Sequence, residues 1–122
     1  ARMLTGVGKK DHITPVLKNL HWLPICHRIS YKILLFSYKA LNGLAPKYLS
    51  DMLRPVSHSR ALRSKSRLLL ERPRSIGATY GDRGFSKAAP VLWNPLPEDI
   101  KRSDSVDIFK RKLKTYLFKQ AF

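Results

Sequence analysis

Lysine and arginine side chains are abundant enough in this 122-residue sequence to suggest a chemistry, the binding of anions. The chain has 24 of them against 8 aspartates and glutamates, which gives a formal net charge of +16. Self-repulsion on this scale opposes compaction, so such an excess is typical of proteins with an anionic partner. Nucleic acid is the commonest partner of this kind, and an anionic membrane surface is the rival.

The basic residues are unevenly distributed along the chain. Residues 54–87 contain nine of them and two acids, a net charge of +7, and residues 101–122 contain seven and two acids, a net charge of +5. Phosphate binding needs several such charges on one surface. The residues that we predict to contact RNA, DNA or both are Arg28, Lys32, Lys39, Arg60, Arg63, Lys65, Arg67, Arg83, Lys110, Arg111, Lys114 and Phe118.

Some of these assignments have a competing interpretation. Any run of lysines and arginines can be a solvated face without a ligand. Arg83 follows Asp82 in a predicted turn, where an ion pair would make it structural instead of a phosphate ligand. Phe118, near Lys114 and Arg111, is predicted to stack on a base, and it equally fits an apolar patch left exposed by a missing domain.

The remaining reactive residues do not predict a metal site or a catalytic site. Four potential ligands are close in sequence, but their spacing fits no usual zinc pattern and there is no C-x2-C pair. These residues are His12, His21, Cys26 and His27. A Cys26–His27 nucleophile pair is disfavoured because neighbours in a helix point different ways. We predict no metal, no cofactor, no catalytic residue and no small-molecule substrate.

A membrane partner is also disfavoured. The C-terminal helix is cationic and amphipathic, as interfacial helices are. However, the positive charge is spread over the whole chain, and the prolines and tryptophans indicate a fixed fold. The longest strictly apolar run, residues 33–36, is far too short to span a bilayer. We therefore predict no membrane partner.

The elements that must position the basic residues are mainly helices. Turn and capping residues predict a helix beginning at Thr14 and Pro15, a long one over residues 25–42 and a short one over 46–53. A C-terminal helix is predicted from residue 106 to about residue 120, with Ser105 as its N-cap. Trp22, before the long helix, is predicted to pack in the core.

The long helix has two distinct sides in the sequence. Its predicted core-facing side is made of Ile29, Ile33, Phe36 and Ala40, with Leu34, Tyr38 and Leu41 beside it. Arg28, Lys32 and Lys39 align on the other side, within roughly 40° of one another. Because Leu35 falls among those bases, the helix is apolar almost all round. This pattern indicates burial against a second partner as well as against its own core.

Residues 81–97, "GDRGFSKAAPVLWNPLP", combine glycine, proline and large aromatic residues. The sequence predicts a tight turn, then a short helix capped by Ser86 and kinked or delayed by Pro90. Residues 94–97 are expected to be extended because residues before proline avoid the helical region. Another helical turn is expected after Pro97, with acids at its positive end. We interpret the stretch as a rigid corner that orients the basic helices.

These elements predict a mainly α fold, a small helical domain with room for a short β hairpin around residues 66–81. The chain is interpreted as a single accessory domain in three parts. Residues 1–53 form the helical part, 54–80 the basic linker and hairpin, and 81–122 the corner and C-terminal helix. Because the chain begins with Ala1 and an uncapped helix-forming run, we interpret it as a fragment.

Four motifs in order resemble one known family. They are "DHITPVLKNLHWLP", "YKALNGLAPKYLSDML", "GDRGFSKAAPVLWNPLPEDI" and "FKRKLKTYLF". Together they resemble the C-terminal region, after the polymerase thumb, of non-LTR (LINE-type, jockey-like) retrotransposon reverse transcriptases. The resemblance implies a nucleic-acid-binding segment that supports RNA-templated DNA synthesis beside an upstream polymerase domain of the same polyprotein. A protein-docking module that stabilises the polymerase core, or an inactive transposon relic, are the alternatives.

The resemblance also implies what this chain lacks. The family's polymerase holds two metal ions with an aromatic-x-Asp-Asp turn and a further aspartate. This sequence has no Asp-Asp pair, and its adjacent Glu98 and Asp99 already suit a helix N-terminus. The family's endonuclease lies upstream of this region, so we predict that the chain alone is not an enzyme. The chain has a single cysteine, Cys26, which favours a reducing compartment. Together with the resemblance, this leads us to expect an intracellular, nuclear protein.

Overall fold

The computed structural model confirms a mainly α fold. The structure describes residues 1–57, 68–74 and 84–122. In those ranges it has seven helices: α1 (Arg2–Thr5), α2 (Thr14–Asn19), α3 (Ile25–Leu41), α4 (Lys47–Asp51), α5 (Phe85–Trp93), α6 (Glu98–Lys101) and α7 (Val106–Ala121). No sheet forms within these ranges, and none of their helices is long and apolar enough to cross a membrane.

Both long helices begin and end close to where the sequence predicts. Helix α3 ends at Leu41, and Gly43 just beyond it has a φ of 70°, the left-handed conformation that glycine adopts readily. The Leu44 amide donates to the Lys39 carbonyl at 2.8 Å and closes this end of the helix. At the start of α7, the Ser105 hydroxyl accepts from the Ile108 amide at 3.3 Å. The predicted N-cap is therefore confirmed.

The core lies where α3 packs against α4, α5 and α7. The Tyr38 and Phe109 rings stack with centroids 4.2 Å apart, and Trp93 lies 6.2 Å from Phe109. The Tyr38 hydroxyl donates to the Ser103 carbonyl at 2.6 Å. Burial, followed by the charge of Asp104, raises the pKa of Tyr38, so the hydroxyl keeps its proton and this hydrogen bond at neutral pH.

The predicted core-facing side of α3 is partly wrong. Leu34, Leu35 and Tyr38 are buried, whereas Ile29 and Phe36 are exposed. The helix carries two apolar arcs, and periodicity alone does not decide which of them faces the core. The core covers the Leu34–Tyr38 arc, so Ile25, Ile29 and Phe36 form an exposed stripe on the opposite side of the helix. We call these three residues the apolar stripe.

The described part of the predicted corner is well packed. Helix α5 begins at Phe85, directly after its N-cap Gly84, and continues through Pro90, so the predicted late start and the Ser86 cap are wrong. Asn94, the residue after α5, has helical backbone angles (φ −58°, ψ −39°) although a proline follows it, which contradicts the prediction that the extended stretch begins there. The physical reason is tertiary: its side-chain amide accepts from the Leu70 amide at 2.8 Å and donates to the Leu70 carbonyl at 3.0 Å.

The segment that Asn94 binds is extended. Pro55 and Leu70 form an antiparallel β-bridge, flanked by bonds from the Val56 amide to the Leu69 carbonyl and from the Glu71 amide to the Arg54 carbonyl. Residues 69–71 thus pair with residues 54–56. The predicted hairpin pairs residues within 66–81, so this pairing with residues 54–56 is not the one predicted. Residues 66–67 and 75–81 of that hairpin, and residues 81–83 of the predicted turn, lie outside the described residues.

Candidate nucleic-acid interface

One cleft of about 490 Å³ brings predicted basic residues from different helices together. It lies between the α2–α3 connection, the first half of α3 and the second half of α7. We call it the basic cleft, and its lining residues are His21, Trp22, Leu23, Arg28, Tyr31, Lys32 and Lys114. Its size is within the range of small-ligand sites in proteins, about 300–1,000 Å³.

The wall formed by the α2–α3 connection has a fixed backbone. The His21 amide donates to the Lys18 carbonyl at 3.1 Å, and the Trp22 amide donates to the Leu17 carbonyl at 2.9 Å. These two bonds form a Schellman motif at the end of α2. His21 occupies its left-handed position with a φ of 54°, where glycine is usual and histidine is tolerated. The motif places Trp22 at the edge of the cleft.

His21 also links this connection to α7. Its ring stacks on Phe118 with centroids 5.5 Å apart and planes within 9° of parallel. Phe118 in turn packs against Phe122 at 4.7 Å and against the core. The stack holds the α2–α3 connection against the helix that supplies Lys114. In the structure Phe118 therefore supports the cleft wall, and its predicted contact with a base stays a prediction.

Arg28 is held in one orientation within the cleft. Its Nε donates to the Leu23 carbonyl at 2.7 Å, and its Cζ lies 5.7 Å from the centre of the Trp22 ring. A guanidinium has five N–H donors in a planar fork, so this bond leaves its terminal amino groups to bind phosphate oxygens. The contact with the indole is in the range of cation–π attraction.

Lys32 and Lys114 add two exposed ammonium groups from facing helices. Tyr31, on α3, is partly buried against the core, and this burial raises the pKa of its phenol, so it stays a neutral hydroxyl at physiological pH. Among the described residues that line the cleft, none is an aspartate or glutamate. Three cations around a cleft without a lining carboxylate create a positive potential that favours an anionic ligand.

The other predicted basic residues lie elsewhere or beyond the described ranges. Lys39 is two turns past Lys32 on α3, outside the cleft lining, and Lys110 pairs with Asp107 at 3.7 Å. Arg111 lines a different cavity, which is described below. The predicted contacts that fall outside the described residues are Arg60, Arg63, Lys65, Arg67 and Arg83.

The cavity around Arg111 has a different electrostatic character. It measures about 330 Å³ and lies between α6 and α7, with Lys112 and Lys119 also in its lining. Asp99 contributes a carboxylate there, and Lys112 Nζ lies 3.7 Å from that carboxylate and 3.0 Å from the Asp99 carbonyl. Because Asp99 offsets part of the positive charge, this cavity attracts phosphate less strongly than the basic cleft does.

Sequence reasoning missed the aromatic part of the cleft. Trp22 is 39% exposed, so its predicted place in the core is wrong. No sequence signal marks this exposure, because the left-handed residue that ends α2 is His21 and not a glycine. Tyr31 lies one turn after Arg28, on the flank of the basic side. Helical periodicity alone did not predict whether a residue at this position faces the core or the basic side of the helix.

The histidines and the cysteine do not assemble a site among the described residues, which contain no group of three or more potential metal ligands. The prediction that Cys26 and His27 point apart is wrong, since Cys26 Sγ lies 3.2 Å from His27 Nδ1. Both lie in the first turn of α3, directly after Ile25, and Cys26 is exposed.

No protein-family model, no curated protein and no solved structure matches this chain. The geometry and charge of the basic cleft, together with the sequence motifs, are therefore the basis for assigning a function.

Proposed function

We propose that this protein is the non-catalytic, nucleic-acid-binding C-terminal segment of a non-LTR retrotransposon reverse transcriptase. In that role it acts in the nucleus beside the upstream polymerase domain and supports RNA-templated DNA synthesis by holding the nucleic-acid backbone. The family assignment rests on the four ordered sequence motifs. The binding role rests on the net charge of +16 and on the basic cleft.

The observation that carries the binding role is the convergence of Arg28, Lys32 and Lys114 on one cleft. Arg28 and Lys32 lie one turn apart on α3, and Lys114 lies far along the chain on α7. The fold therefore creates a positive surface that neither helix has alone. Arg28 is oriented by its bond to the Leu23 carbonyl. A preoriented guanidinium loses less entropy on binding than a mobile one, which favours a role as phosphate ligand over a merely solvated face.

Salt dependence tests this role directly. If the whole chain engages about five or six phosphates of duplex DNA, a plot of the logarithm of the association constant against the logarithm of salt concentration has a slope near −5. Fluorescence anisotropy of labelled DNA over a range of salt concentrations measures that slope. A flat response, or no binding at low salt, would contradict the proposal and favour protein docking.

The non-catalytic part of the proposal has its own test. Polymerases of this family need a cluster of metal-binding aspartates, and the sequence has no Asp-Asp pair. We expect no primer extension by the purified chain with Mg²⁺ or Mn²⁺. Extension that persists in polymerase-free material, and co-purifies with the chain through every step, would contradict this.

Protein docking is the second candidate function, and the apolar stripe favours it. Ile25, Ile29 and Phe36 lie on the side of α3 opposite the core and are 75%, 57% and 44% exposed. Contiguous exposed apolar side chains often mark an interface. Ile29→Ser with Phe36→Ser would then weaken association with the polymerase domain and leave nucleic-acid binding unchanged. The reverse pattern, in which only nucleic-acid binding falls, would count against docking through this stripe.

A further inference from the structure

We infer that the basic cleft binds an unpaired nucleotide of a single strand, with its base stacked at Trp22 and the neighbouring backbone phosphates of that strand held by Arg28, Lys32 and Lys114, one by each residue. This inference rests on the proposed nucleic-acid binding and names the class of ligand, a single strand or an unpaired end instead of an intact duplex. The juxtaposition that supports it is an exposed indole beside three cations in one cleft.

Trp22 has the properties of a stacking platform. Its side chain is 39% exposed, although the core offers burial to the chain's other tryptophan, Trp93. Its backbone is fixed by the bond from its amide to the Leu17 carbonyl, and its ring is flanked by the Arg28 guanidinium. An aromatic ring that is held in place and partly exposed beside cations is the arrangement that stacks a base while its phosphate is neutralised.

The Arg28 guanidinium strengthens this arrangement. Bases stack on planar guanidinium groups as well as on aromatic rings. Because Arg28 Nε is bonded to the Leu23 carbonyl, the guanidinium plane has a fixed orientation next to the indole. Tyr31, further along the cleft, contributes a neutral hydroxyl that can donate to a base edge or a phosphate oxygen.

An intact duplex cannot use this platform. Each base inside a duplex has both faces covered by its neighbours and presents only its edges in the grooves. Reaching the Trp22 ring would require unstacking and unpairing, which costs free energy that a single strand does not lose. The cationic residues can bind phosphates of either form, so the aromatic ring is the feature that distinguishes single strands from duplexes.

Tryptophan fluorescence tests the inference on the unmodified protein. The sequence has two tryptophans, and Trp93 is 1% exposed, so quenching by a stacked base reports Trp22. We expect oligothymidylate and oligouridylate of about twelve nucleotides to quench the emission, and a blunt duplex of equal phosphate count to bind without comparable quenching. The two oligonucleotides separate DNA from RNA as the source of the unpaired strand.

A substitution sharpens the same test. Trp22→Leu should lower the affinity for the single strand by about 5- to 100-fold and leave duplex affinity within about twofold, whereas Trp22→Phe should retain most of the single-strand affinity. Tyr48→Leu is the matched control, because Tyr48 is an exposed aromatic residue on α4 outside the cleft. Circular dichroism checks that each variant is folded.

The outcomes separate the inference from the proposed function. Quenching by single strands alone, with loss of affinity in Trp22→Leu but not in Tyr48→Leu, supports the inference. Equal quenching by duplex and single strand, or binding of single strands without quenching, overturns it while the proposed function stands. Absence of binding to either form at low salt overturns both.

Discussion

The two tryptophans of this protein occupy opposite environments. Trp93 is 1% exposed, stacks near Phe109 and donates from Nε1 to the Leu68 carbonyl at 2.8 Å. Trp22 is 39% exposed and lies beside the Arg28 guanidinium. Trp93 has its apolar surface covered and its polar atom bonded, so it contributes to stability. Trp22 leaves apolar surface in water next to positive charge, which is typical of a binding residue.

The difference in exposure between the two tryptophans follows from the secondary structure in which each one lies. Trp93 ends a helix that packs on α3, and the residue after it, Asn94, binds the extended segment at Leu70. Trp22 follows a Schellman motif in a short connection, where the chain is at the surface. The comparison teaches that the corner at α5 holds the fold together and that the α2–α3 connection presents the partly exposed indole on which the proposed ligand site depends.

The largest effect is expected from Trp93→Ala. Removing a fully buried indole leaves a cavity in the core and the Leu68 carbonyl without its donor. The expected loss in the free energy of unfolding is about 3–5 kcal/mol. Urea denaturation followed by circular dichroism measures it. A variant that unfolds like the parent protein but no longer binds nucleic acid would make the corner the binding site and reverse the comparison.

A smaller loss is expected from Asn94→Ala. The substitution removes both hydrogen bonds between the Asn94 side chain and the backbone of Leu70, which is a buried residue. The Leu70 amide and carbonyl are then left without these partners. The free energy of unfolding should fall by about 1–3 kcal/mol. Asn19→Ala, at an exposed position, is the control that should change little. Equal effects of the two substitutions in the same denaturation assay would mean that the Asn94 bonds do not stabilise the corner.

The smallest effect on stability is expected from Trp22→Leu. The indole is partly exposed, and its contact with Arg28 at 5.7 Å is worth about 0.5–1 kcal/mol at an exposed site. Thermal unfolding should therefore show a loss of about 1 kcal/mol or less. If Trp22→Leu instead destabilises the protein as much as Trp93→Ala does, Trp22 is a core residue and the contrast between the tryptophans disappears.

The sequence predicts the elements of this fold well because their determinants are local. Helix α3 begins after Pro24 and ends just before Gly43, and α7 begins after its N-cap Ser105, as these local signals predict. The burial of Phe109, Leu113 and Leu117 follows from helical spacing. Three of the predicted phosphate contacts, Arg28, Lys32 and Lys114, lie in one cleft. That two of them share one side of α3 also follows from spacing alone.

The features that the sequence did not predict depend on tertiary contacts. The choice between the two apolar arcs of α3 is made by α4, α5 and α7, which are distant in sequence. Asn94 is helical before a proline because its amide binds Leu70. Residue type alone predicts that Trp22 lies in the core. Its exposure depends on the left-handed conformation of His21, which the sequence does not signal because the residue is not a glycine.

Removing the charge of the basic cleft tests the central claim most directly. The triple substitution Arg28→Gln, Lys32→Gln and Lys114→Gln is compared with Lys9→Gln, Lys10→Gln and Lys47→Gln, three exposed lysines outside the cleft lining. Because each phosphate contact with a single strand contributes about 0.7 to the salt slope, the cleft variant should lose about 2 in slope and the control less than about 0.5. Equal losses in the two variants, or none in the cleft variant, would contradict the assignment of the cleft as the nucleic-acid interface.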